Sequence, residues 1–331
     1  MCTEGRQRIL GAPLRIALLG ASAIAPLAII APVRERTDVV VVAVGARDPA
    51  RAAAFAQTHG IGRVARGYRD LLSIPADLVY LGLPPSEHAV WAIEALRAGR
   101  GVLCEKPFAL DAAEAEAMVG AAAEAGLPLL EAFHYRFHPA FERVRSLLDA
   151  GAIGRLVRAD IVMTSNSTAE PEGFRWQRAL GGGVLLDLGC YAVHALRSLF
   201  GSEPEVTGAV ADVDGGVDVR FRASLRFAAD VEASFDVSMV AREFAQHLRV
   251  IGTSGSISMP WFAMPQPGDA IGVESAGRQW REEFTPGTSF EHQLAHVMAV
   301  VRGTARALTG GHDAIANMRV LDRLRAQAGL A

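Results

Sequence analysis

Short apolar segments alternate with Ala-rich helical stretches along the first part of the chain. Each apolar segment is too short for a helix and is apolar on both faces, as buried parallel strands are. We predict strands at LRIALLG (14–20), VVVVAVGA (39–46), ADLVYLGL (76–83), GVLCE (101–105) and LPLLEAF (127–133). Repeated strand–helix–strand units predict an α/β domain with a doubly wound parallel sheet of the Rossmann type.

Two of the intervening helices have boundaries that can be read from the sequence. Asp48 stands in the place of an N-cap, and Pro49 stands at the first helical position. Asp111 and Glu114 have the spacing of a capping box, and Gly126 stands where that helix should stop. These helices connect the second predicted strand to the third, and the fourth to the fifth.

Beyond about residue 155 the chain changes to closely spaced segments that mostly alternate apolar and polar residues. Such alternation is typical of an antiparallel sheet with one covered face and one more open face. The segments are RLVRADIVMTS, PEVTGAVADV, VDVRFRASLRFA, DVEASFDVSMV and QHLRVIGT. We therefore predict a C-terminal α+β domain that contains a large, mostly antiparallel open sheet.

The change of pattern sets the expected domain boundary. We place a nucleotide-binding domain at residues 13–133 and a substrate-binding domain at 134–331, with a helical segment at 137–154 joining the halves. A closing helix near 313–328 is expected to pack back on the first domain. Because a large open sheet face often serves as a subunit contact, we expect a homodimer or homotetramer formed through the second sheet.

The composition narrows the function classes. The chain has 331 residues, is 50% hydrophobic and carries a net charge of −3, which argues against nucleic acid or an anionic membrane as the partner. Cys2, Cys104 and Cys190 form no CxxC pair, so we expect no zinc site or disulfide framework and a reducing, cytoplasmic location. We expect no signal peptide and find no apolar run long enough to span a membrane.

The first predicted strand leads into an imperfect phosphate-binding loop. In the pattern G-x-G-x-x-G/A, Gly20 permits the tight turn and Ala25 allows close packing of helix and strand. Ser22 replaces the second glycine, and its hydroxyl can bond a phosphate oxygen at a helix N-terminus. We expect Gly20, Ser22, Ala23 and Ile24 to bind a dinucleotide; the alternative is a plain tight turn.

The end of the second predicted strand bears on the choice of dinucleotide. An acid at this place suits the ribose of NAD, whereas an arginine suits the additional phosphate of NADP. Asp48 already serves as a helix cap, so we favour Arg47 on the 2′-phosphate and NADP(H) over NAD(H). The alternative is that Arg47 is a solvated loop residue.

An acid, a base and a proline follow the fourth predicted strand. The carboxyl ends of parallel strands face the ligand crevice, so Glu105 and Lys106 should point there. We expect a lowered pKa for Lys106 beside an oxidised nicotinamide, which would let it accept a proton. Pro107 limits the direction of the lysine, and the sequence does not decide whether the Lys106–Pro107 bond is cis. Glu105 can anchor Lys106, contact the nicotinamide ribose, or do both.

The segment GGGVLLDLGCYAVHAL predicts a helix after a glycine-rich turn. Asp187, Tyr191 and His194 are spaced i, i+4, i+7 and so share one helix face. We expect Tyr191 to exchange a proton together with Lys106, as a phenolate favoured by the ammonium. Asp187 would hold a substrate hydroxyl or orient the lysine. The alternatives are a helix cap for Asp187, a core tyrosine for Tyr191 and a structural role for His194.

Other candidates rest on position alone. For the cofactor they are Leu83, Pro84 and His88, and for the substrate they are Arg136, Trp176, Arg178 and His194. His88 can equally be a helix-face histidine, Arg136 can join the two domains, and Trp176 can be a packing residue. His292 and His296 have a spacing that can bind metal, but no third ligand is apparent, so we assign no metal.

Several of these motifs together resemble a known family. GASAIA, ARDPARA, GLPPSEHAVWAIEALRAGRGVLCEKPF and GGGVLLDLGCYAVHAL, in this order, resemble the glucose–fructose oxidoreductase / inositol dehydrogenase / rhizopine-catabolism (Gfo/Idh/MocA) family. EAFHYRFHP and the triple glycine are most similar to the branch of dimeric dihydrodiol dehydrogenases and NADP-dependent xylose dehydrogenases. The resemblance extends from about Leu14 to near Leu330.

The resemblance implies an activity and a set of residues. That branch uses NADP(H) and oxidises a ring hydroxyl of a sugar or diol, with the E-K-P lysine and a Tyr or His four residues after the aspartate at the reacting carbon. In this chain those residues are Lys106, Asp187 and Tyr191. Ser22 and Pro85 depart from the common family pattern and leave the cofactor contacts open.

We therefore expect an NADP(H)-dependent oxidoreductase that acts on a secondary hydroxyl or carbonyl of a sugar, polyol or dihydrodiol. One alternative is a NAD-linked inositol or aminosugar dehydrogenase of the same fold. A second alternative is a nucleotide-sensing protein without catalytic activity.

Overall fold

The computed structural model describes residues 12–266 and 268–330. Cys2 and most of the N-terminal stretch in which we expect no signal peptide lie outside these residues. The described strands are β1 (Leu14–Leu19), β2 (Val39–Gly45), β3 (Val64–Ala65), β4 (Leu78–Leu81), β5 (Gly101–Cys104), β6 (Leu129–Glu131), β7 (Leu156–Asn166), β8 (Glu205–Asp214), β9 (Val217–Phe227), β10 (Val231–Ser238), β11 (Val240–Gly252), β12 (Gly255–Pro260), β13 (Ala270–Ser275) and β14 (Arg278–Glu283). The described α-helices are α1 (Ala31–Arg34), α2 (Pro49–His59), α3 (Tyr68–Ser73), α4 (His88–Arg97), α5 (Ala112–Ala125), α6 (Pro139–Asp149), α7 (Cys190–Phe200), α8 (Ser289–Val301) and α9 (His312–Gln327).

The first sheet is parallel throughout, with the strand order β3-β2-β1-β4-β5-β6. The order reverses between β1 and β4, which is the point where doubly wound sheets bind their ligands. All five predicted strands are present. The two-residue β3 is additional, and it is too short to leave a pattern in the sequence.

The second sheet has eight strands in the order β14-β13-β12-β11-β7-β10-β9-β8. Its pairs are antiparallel except β7 with β10. Along β9 buried and accessible residues alternate strictly, because one face packs on the core and the other faces outward. Together the two sheets confirm the predicted fold class.

The predicted helix caps are present with one difference. The Asp48 carboxylate accepts a hydrogen bond from Ala50 N at 2.9 Å. Asp111 accepts from Glu114 N at 2.8 Å, but the Glu114 carboxylate accepts from Leu110 N at 3.0 Å instead of from the cap residue. The expected capping box is therefore half formed. The Glu114 side chain bonds the backbone of Leu110, the residue before the cap, instead of the backbone of Asp111.

Helix α9 lies against α5 and the segment before it. The Asp322 carboxylate accepts from Ala112 N at 2.9 Å, and Arg325 donates to the carbonyl oxygen of Leu110 at 2.8 Å. Arg319 pairs with Glu116 at 2.6 Å. The closing helix thus contacts the part of the chain that precedes residue 133, while the domain boundary itself stays a prediction.

One segment among the described residues, Arg178–Phe200, is long and apolar enough to cross a bilayer by composition. Within its most apolar window, 78% is buried inside the protein. Such burial is typical of a core helix.

Two π-helical turns adjoin the segments that contain the predicted functional residues. One, Pro26–Ile30, follows the loop after β1, and the other, Leu185–Gly189, leads into α7. The second turn is held from outside, since Leu185 N donates to the Asp218 carboxylate at 2.7 Å.

The loop after β1 depends on a glycine that has no room for a side chain. Gly20 has φ +111°, and a Cβ there would lie 2.3 Å from the carbonyl oxygen of Gly82. Gly60 also has positive φ, +71°, but a Cβ there would meet nothing within 4 Å. An alanine at Gly60 would therefore experience backbone strain alone, whereas an alanine at Gly20 would experience both backbone strain and steric overlap.

We expect Gly20→Ala to lower the free energy of unfolding by about 3 kcal/mol or more, because strain and overlap add. Gly60→Ala, the matched control, should cost about 1 kcal/mol from backbone strain alone. Urea denaturation of both variants measures the difference. Equal losses would show that the loop does not need its close contact with Gly82.

Candidate active site

A buried ion pair lies just beyond the carboxyl end of β5, the edge at which doubly wound sheets bind their ligands. The Lys106 Nζ atom donates to Asp187 Oδ1 at 2.9 Å and to the Asp187 carbonyl oxygen at 2.8 Å. Only 14% of the Lys106 side chain and 6% of the Asp187 side chain are exposed. Nζ lies 4.9 Å from the centroid of the Tyr191 ring. The structure thus brings together the three residues predicted to do chemistry.

A second cation shares the Asp187 carboxylate. Arg175 Nε donates to Asp187 Oδ2 at 2.6 Å. Burial raises the pKa of Asp187, but the Lys106 ammonium and the Arg175 guanidinium outweigh it and hold that pKa well below its usual range. Asp187 is therefore a carboxylate, and both of its oxygens are engaged by cations. Sequence analysis missed Arg175; its position shortly before the triple glycine was the available signal.

In the protein by itself the pKa of Lys106 is raised, and the lowering expected beside an oxidised nicotinamide stays a prediction. Burial does lower this pKa, but the Asp187 carboxylate and Cys190 raise it by more, and the net shift is upward. The sequence argument weighed the charge of an oxidised nicotinamide and did not foresee a carboxylate at 2.9 Å from Nζ. Without that added charge, Lys106 is an ammonium at neutral pH.

Lys106 is the one lysine of the chain, since every other long basic side chain is an arginine. A guanidinium stays protonated at all accessible pH values, whereas an amine can give up its proton. The chain therefore keeps a lysine at the position where a proton can be exchanged.

The expected phenolate at Tyr191 is wrong. Burial, together with the charges of Glu105 and Cys190, raises the pKa of Tyr191 well above its usual value, so the phenol is neutral. Its hydroxyl lies 3.5 Å from His134 Nε2, and His134 Nδ1 lies 2.9 Å from Ser289 Oγ. Burial lowers the pKa of His134 to about 3, so this ring is neutral as well. His134 was not among the predicted residues, although it lies in the quoted segment EAFHYRFHP.

Glu105 holds the backbone of the lysine. Its carboxyl group accepts from the Tyr80 hydroxyl at 2.7 Å and from the backbone N–H of Lys106 at 3.3 Å. Burial raises the pKa of Glu105. Of the two roles left open by the sequence, anchoring Lys106 is the one these contacts describe. The Lys106–Pro107 peptide bond is cis.

The loop after β1 has the shape that a dinucleotide phosphate requires. A Cβ at Gly82 would lie 2.6 Å from Ser22 Oγ, just as one at Gly20 would meet Gly82. Ser22 Oγ is buried and has no hydrogen-bond partner within 3.5 Å among the described residues, although it lies close enough to the Tyr80 hydroxyl to act on the pKa of that phenol. A buried hydroxyl in a glycine-lined turn fits a phosphate oxygen.

Two arginines flank this loop at the end of β2. Arg47 is exposed, and Arg51, one helical turn further on, donates from Nη2 to the carbonyl oxygen of Ala21 at 3.0 Å. Sequence analysis missed Arg51, for which the i, i+4 spacing from Arg47 was the available signal. Asp48 is occupied as the cap of α2, as the sequence argument assumed.

His88 is completely buried between two backbone segments. Its ring nitrogens lie 2.9 Å from the carbonyl oxygen of Pro107 and 2.9 Å from that of Leu83. Burial lowers its pKa. His88 therefore joins the segment after β4, which contains Leu83 and Pro84, to the segment that carries Lys106.

The predicted substrate residues make their contacts elsewhere in the fold. Arg136 pairs with Glu142 and lies over the Phe141 ring, and Trp176 Nε1 donates to the Ser167 carbonyl oxygen at 3.0 Å. Exposed Arg178 donates to the Leu330 carbonyl oxygen at 3.3 Å. His194 is enclosed between the Tyr135 hydroxyl and the Asp313 carboxylate. None of these contacts involves the Lys106–Asp187 pair.

Metal ligation finds no support in residues 12–266 and 268–330, where no group of three His, Cys, Asp or Glu side chains is arranged to hold an ion. His296 stacks on Phe137 at 4.6 Å between ring centroids.

Two family descriptions match the chain in succession. "Oxidoreductase family, NAD-binding Rossmann fold" matches residues 14–133, and "GFO/IDH/MocA C-terminal domain" matches residues 141–258. Both kinds of enzyme that the sequence resemblance named are also found among similar proteins.

Three similar proteins cover large parts of the chain. A D-xylose 1-dehydrogenase (NADP(+)) from Haloferax volcanii is 33% identical over 319 residues, 93% of this chain and 95% of that protein. A trans-1,2-dihydrobenzene-1,2-diol dehydrogenase from Macaca fascicularis is 38% identical over 66% of each chain. A 3-ketoreductase from Actinomadura kijaniata, solved with NADP and TDP-benzene, superposes with a TM-score of 0.89 at 27% identity, over 95% of this chain and 98% of that one. The chain therefore belongs to the Gfo/Idh/MocA oxidoreductase family, as an NAD(P)-dependent dehydrogenase.

Proposed function

We propose that the chain is an NADP(H)-dependent oxidoreductase for a secondary hydroxyl or carbonyl group of a sugar, polyol or dihydrodiol. The observation that carries this proposal is the Lys106 ammonium, held by Asp187 beside the Tyr191 phenol, at the ligand edge of a parallel sheet. The names of the xylose and dihydrodiol dehydrogenases support the substrate class.

The residues around the β1 loop suit a dinucleotide. Gly20 and the unpartnered hydroxyl of Ser22 would receive the phosphates, with Ala23 and Ile24 beside them and the Leu83–Pro84 segment opposite. The nicotinamide, when bound, supplies or accepts the hydride. The chain's own task is then to orient the substrate and to move one proton.

NADP(H) is favoured over NAD(H) by the charge at the end of β2. Arg47 and Arg51 offer two guanidinium groups for a phosphate, while the Asp48 carboxylate is already bonded to Ala50 N. The xylose dehydrogenase carries NADP(+) in its name, and the 3-ketoreductase was solved with NADP.

The protonation states describe how the site handles the proton. A charged Lys106 and a neutral Tyr191 are both hydrogen-bond donors at neutral pH, as a carbonyl oxygen requires while it is reduced. In that direction one of the two gives its proton to the substrate oxygen, and the other donates a hydrogen bond to it. In the oxidative direction the same pair must accept the hydroxyl proton. Because the pKa of Lys106 is raised, oxidation should become faster as the pH increases.

Asp187 orients the lysine in this scheme. Its two carboxylate oxygens are engaged by Lys106 and Arg175, so it acts through Lys106 rather than on a substrate hydroxyl. The charge of the carboxylate keeps the ammonium in place through the reaction.

The two alternative functions are separated by one experiment. A panel of aldoses, inositols and cis- and trans-diols is assayed with NADP+ and, separately, with NAD+, and the corresponding carbonyl compounds with NADPH and with NADH. Turnover of a sugar or diol supports the proposal, and turnover with NAD+ alone supports the NAD-linked dehydrogenase. Tight nucleotide binding without turnover of any compound would favour the sensor.

The homodimer or homotetramer and the cytoplasmic location stay predictions. Light scattering tests the oligomeric state.

Lys106→Met should lower kcat by about 100-fold or more, because it removes both the charge and the exchangeable proton. Tyr191→Phe should cause a loss of similar order. The Kd for NADPH should change far less in both. Lys106→Arg keeps the charge but cannot release a proton, so it separates the two roles. Steady-state kinetics and fluorescence titration measure these values, with Arg323→Gln on the exposed side of α9 as the control. A near-normal kcat in either variant would remove that residue from the mechanism.

Arg47→Gln and Arg51→Gln should each weaken NADPH binding by roughly tenfold or more, since each removes a charged donor to phosphate. In Arg47→Gln, NADH binding should be unchanged, because NADH lacks that phosphate. Arg51→Gln also loses the bond to the Ala21 carbonyl oxygen in the loop after β1, so there the loss should be smaller for NADH than for NADPH. Fluorescence titration with both nucleotides measures the effect, again against Arg323→Gln. Equal loss for both nucleotides, or tighter binding of NADH than of NADPH by the unaltered protein, would contradict the assignment.

A further inference from the structure

Arg175 shares the Asp187 carboxylate with Lys106, and its part in the chemistry is still unassigned. Its Nε atom lies 2.6 Å from Asp187 Oδ2, on the opposite side of the carboxylate from Lys106, which bonds Oδ1 at 2.9 Å. The Arg175 side chain is 35% exposed, whereas that of Lys106 is 14% exposed, so Arg175 is the more accessible of the two cations. The carboxylate thus bridges an inner cation that can lose its proton and an outer cation that cannot.

The backbone around Arg175 is built to keep this side chain in place. Its carbonyl oxygen accepts a hydrogen bond from Gly183 N at 3.0 Å. A Cβ at Gly182 would lie 2.6 Å from that carbonyl oxygen and 2.7 Å from the carbonyl oxygen of Phe174. The Arg175 guanidinium carbon also lies 4.9 Å from the centroid of the Phe174 ring. The loop therefore folds back onto the glycines with its arginine directed at Asp187.

The charges around Lys106 make Asp187 the decisive neighbour. The titratable groups near the ammonium are Asp187, Cys190 and Tyr191 on the segment leading into and along α7, Arg175 on the loop before it, Glu105 next in sequence, and His88 and His134. Both histidines have lowered pKa values, and the Tyr191 phenol is neutral. Arg175 opposes the proton on Lys106 directly, and it also takes a share of the Asp187 carboxylate.

We infer that Arg175 is a positioning residue of the proposed reaction, which fixes the Asp187 carboxylate and through it the Lys106 ammonium. The inference rests on the proposed function for its kinetic consequence, but its structural part can be tested without any substrate. If the guanidinium is removed, the Asp187 carboxylate interacts with Lys106 alone. The pKa of the Lys106 ammonium should then rise.

The single lysine of the chain allows a direct test. Trace reductive methylation with formaldehyde and borohydride modifies only neutral amines, so the labelling rate of Lys106, measured by peptide mass spectrometry at pH 8–9, reports its neutral fraction. Labelling of the N-terminal amine in the same sample serves as the internal reference for differences in reagent concentration. Arg175→Gln should slow labelling of Lys106 several-fold, and Arg175→Lys, which keeps a cation, should restore most of the rate.

A change in accessibility would have the opposite sign. If Arg175 merely keeps the loop closed, Arg175→Gln opens the crevice and Lys106 is labelled faster. In an Asp187→Asn background the shared carboxylate is gone and only the direct repulsion between Arg175 and Lys106 is left, so replacing Arg175 should have a clearly smaller effect. Arg323→Gln should match the unaltered protein throughout. Faster labelling, or an undiminished Arg175→Gln effect in the Asp187→Asn background, would overturn the inference.

The kinetic arm uses whichever substrate the panel identifies. Arg175→Gln should lower kcat by about 10- to 100-fold, as misplacement of a reacting group does, while the Kd for NADPH stays the same. The alkaline rise of the oxidation rate should move to higher pH, and Arg175→Lys should move it back. An unchanged kcat and pH profile would also overturn the inference. Should the unaltered protein turn over nothing, the proposed function fails, while the labelling result still decides the role of Arg175.

Discussion

The buried ion pair between Lys106 and Asp187 joins two parts of the chain that are distant in sequence. Lys106 follows a strand of the first sheet, and Asp187 lies in the π-helical turn before α7. Taking two charges out of water is costly, and only close contact with further hydrogen bonds offsets the cost. The carbonyl oxygen of Asp187 and the Arg175 guanidinium provide those bonds. Removing one member of such a pair typically costs about 3–5 kcal/mol, because the other charge is left buried without its partner.

Burial keeps the neighbours of this charged pair neutral. Asp187 keeps Lys106 charged, while burial keeps Tyr191 and His134 neutral. The site therefore still contains a charged hydrogen-bond donor, the Lys106 ammonium. A reduced and an oxidised nicotinamide differ by one positive charge, which would act on this ammonium first. The site is thus arranged so that the cofactor state and the proton on Lys106 are coupled, under the function proposed above.

Local signals in the sequence predicted most of the fold and part of the site. The apolar runs predicted five strands of the first sheet, and E-K-P at the end of one of them predicted the position of Lys106. Arg175, His134 and Tyr80 were missed, because their importance depends on which distant group each one meets. The phenolate expected at Tyr191 failed for the same reason, and the raised pKa of Lys106 in the protein by itself was not foreseen either. A pKa depends on the nearest countercharge and on burial, and neither is visible in a short motif.

The triple glycine shows how one motif can serve both structure and chemistry. A Cβ at Gly183 would lie 2.0 Å from Asp218 Oδ1, and one at Gly182 would meet the Arg175 carbonyl oxygen. Side chains at these places would push the loop away from the turn that carries Asp187. Because the glycines have no side chain, the Arg175 backbone reaches Gly183 N and its guanidinium reaches the carboxylate four residues further along. The glycines and the aspartate of this motif therefore act together. The glycines allow the loop that carries Arg175 to come close, and Asp187 binds the Arg175 guanidinium.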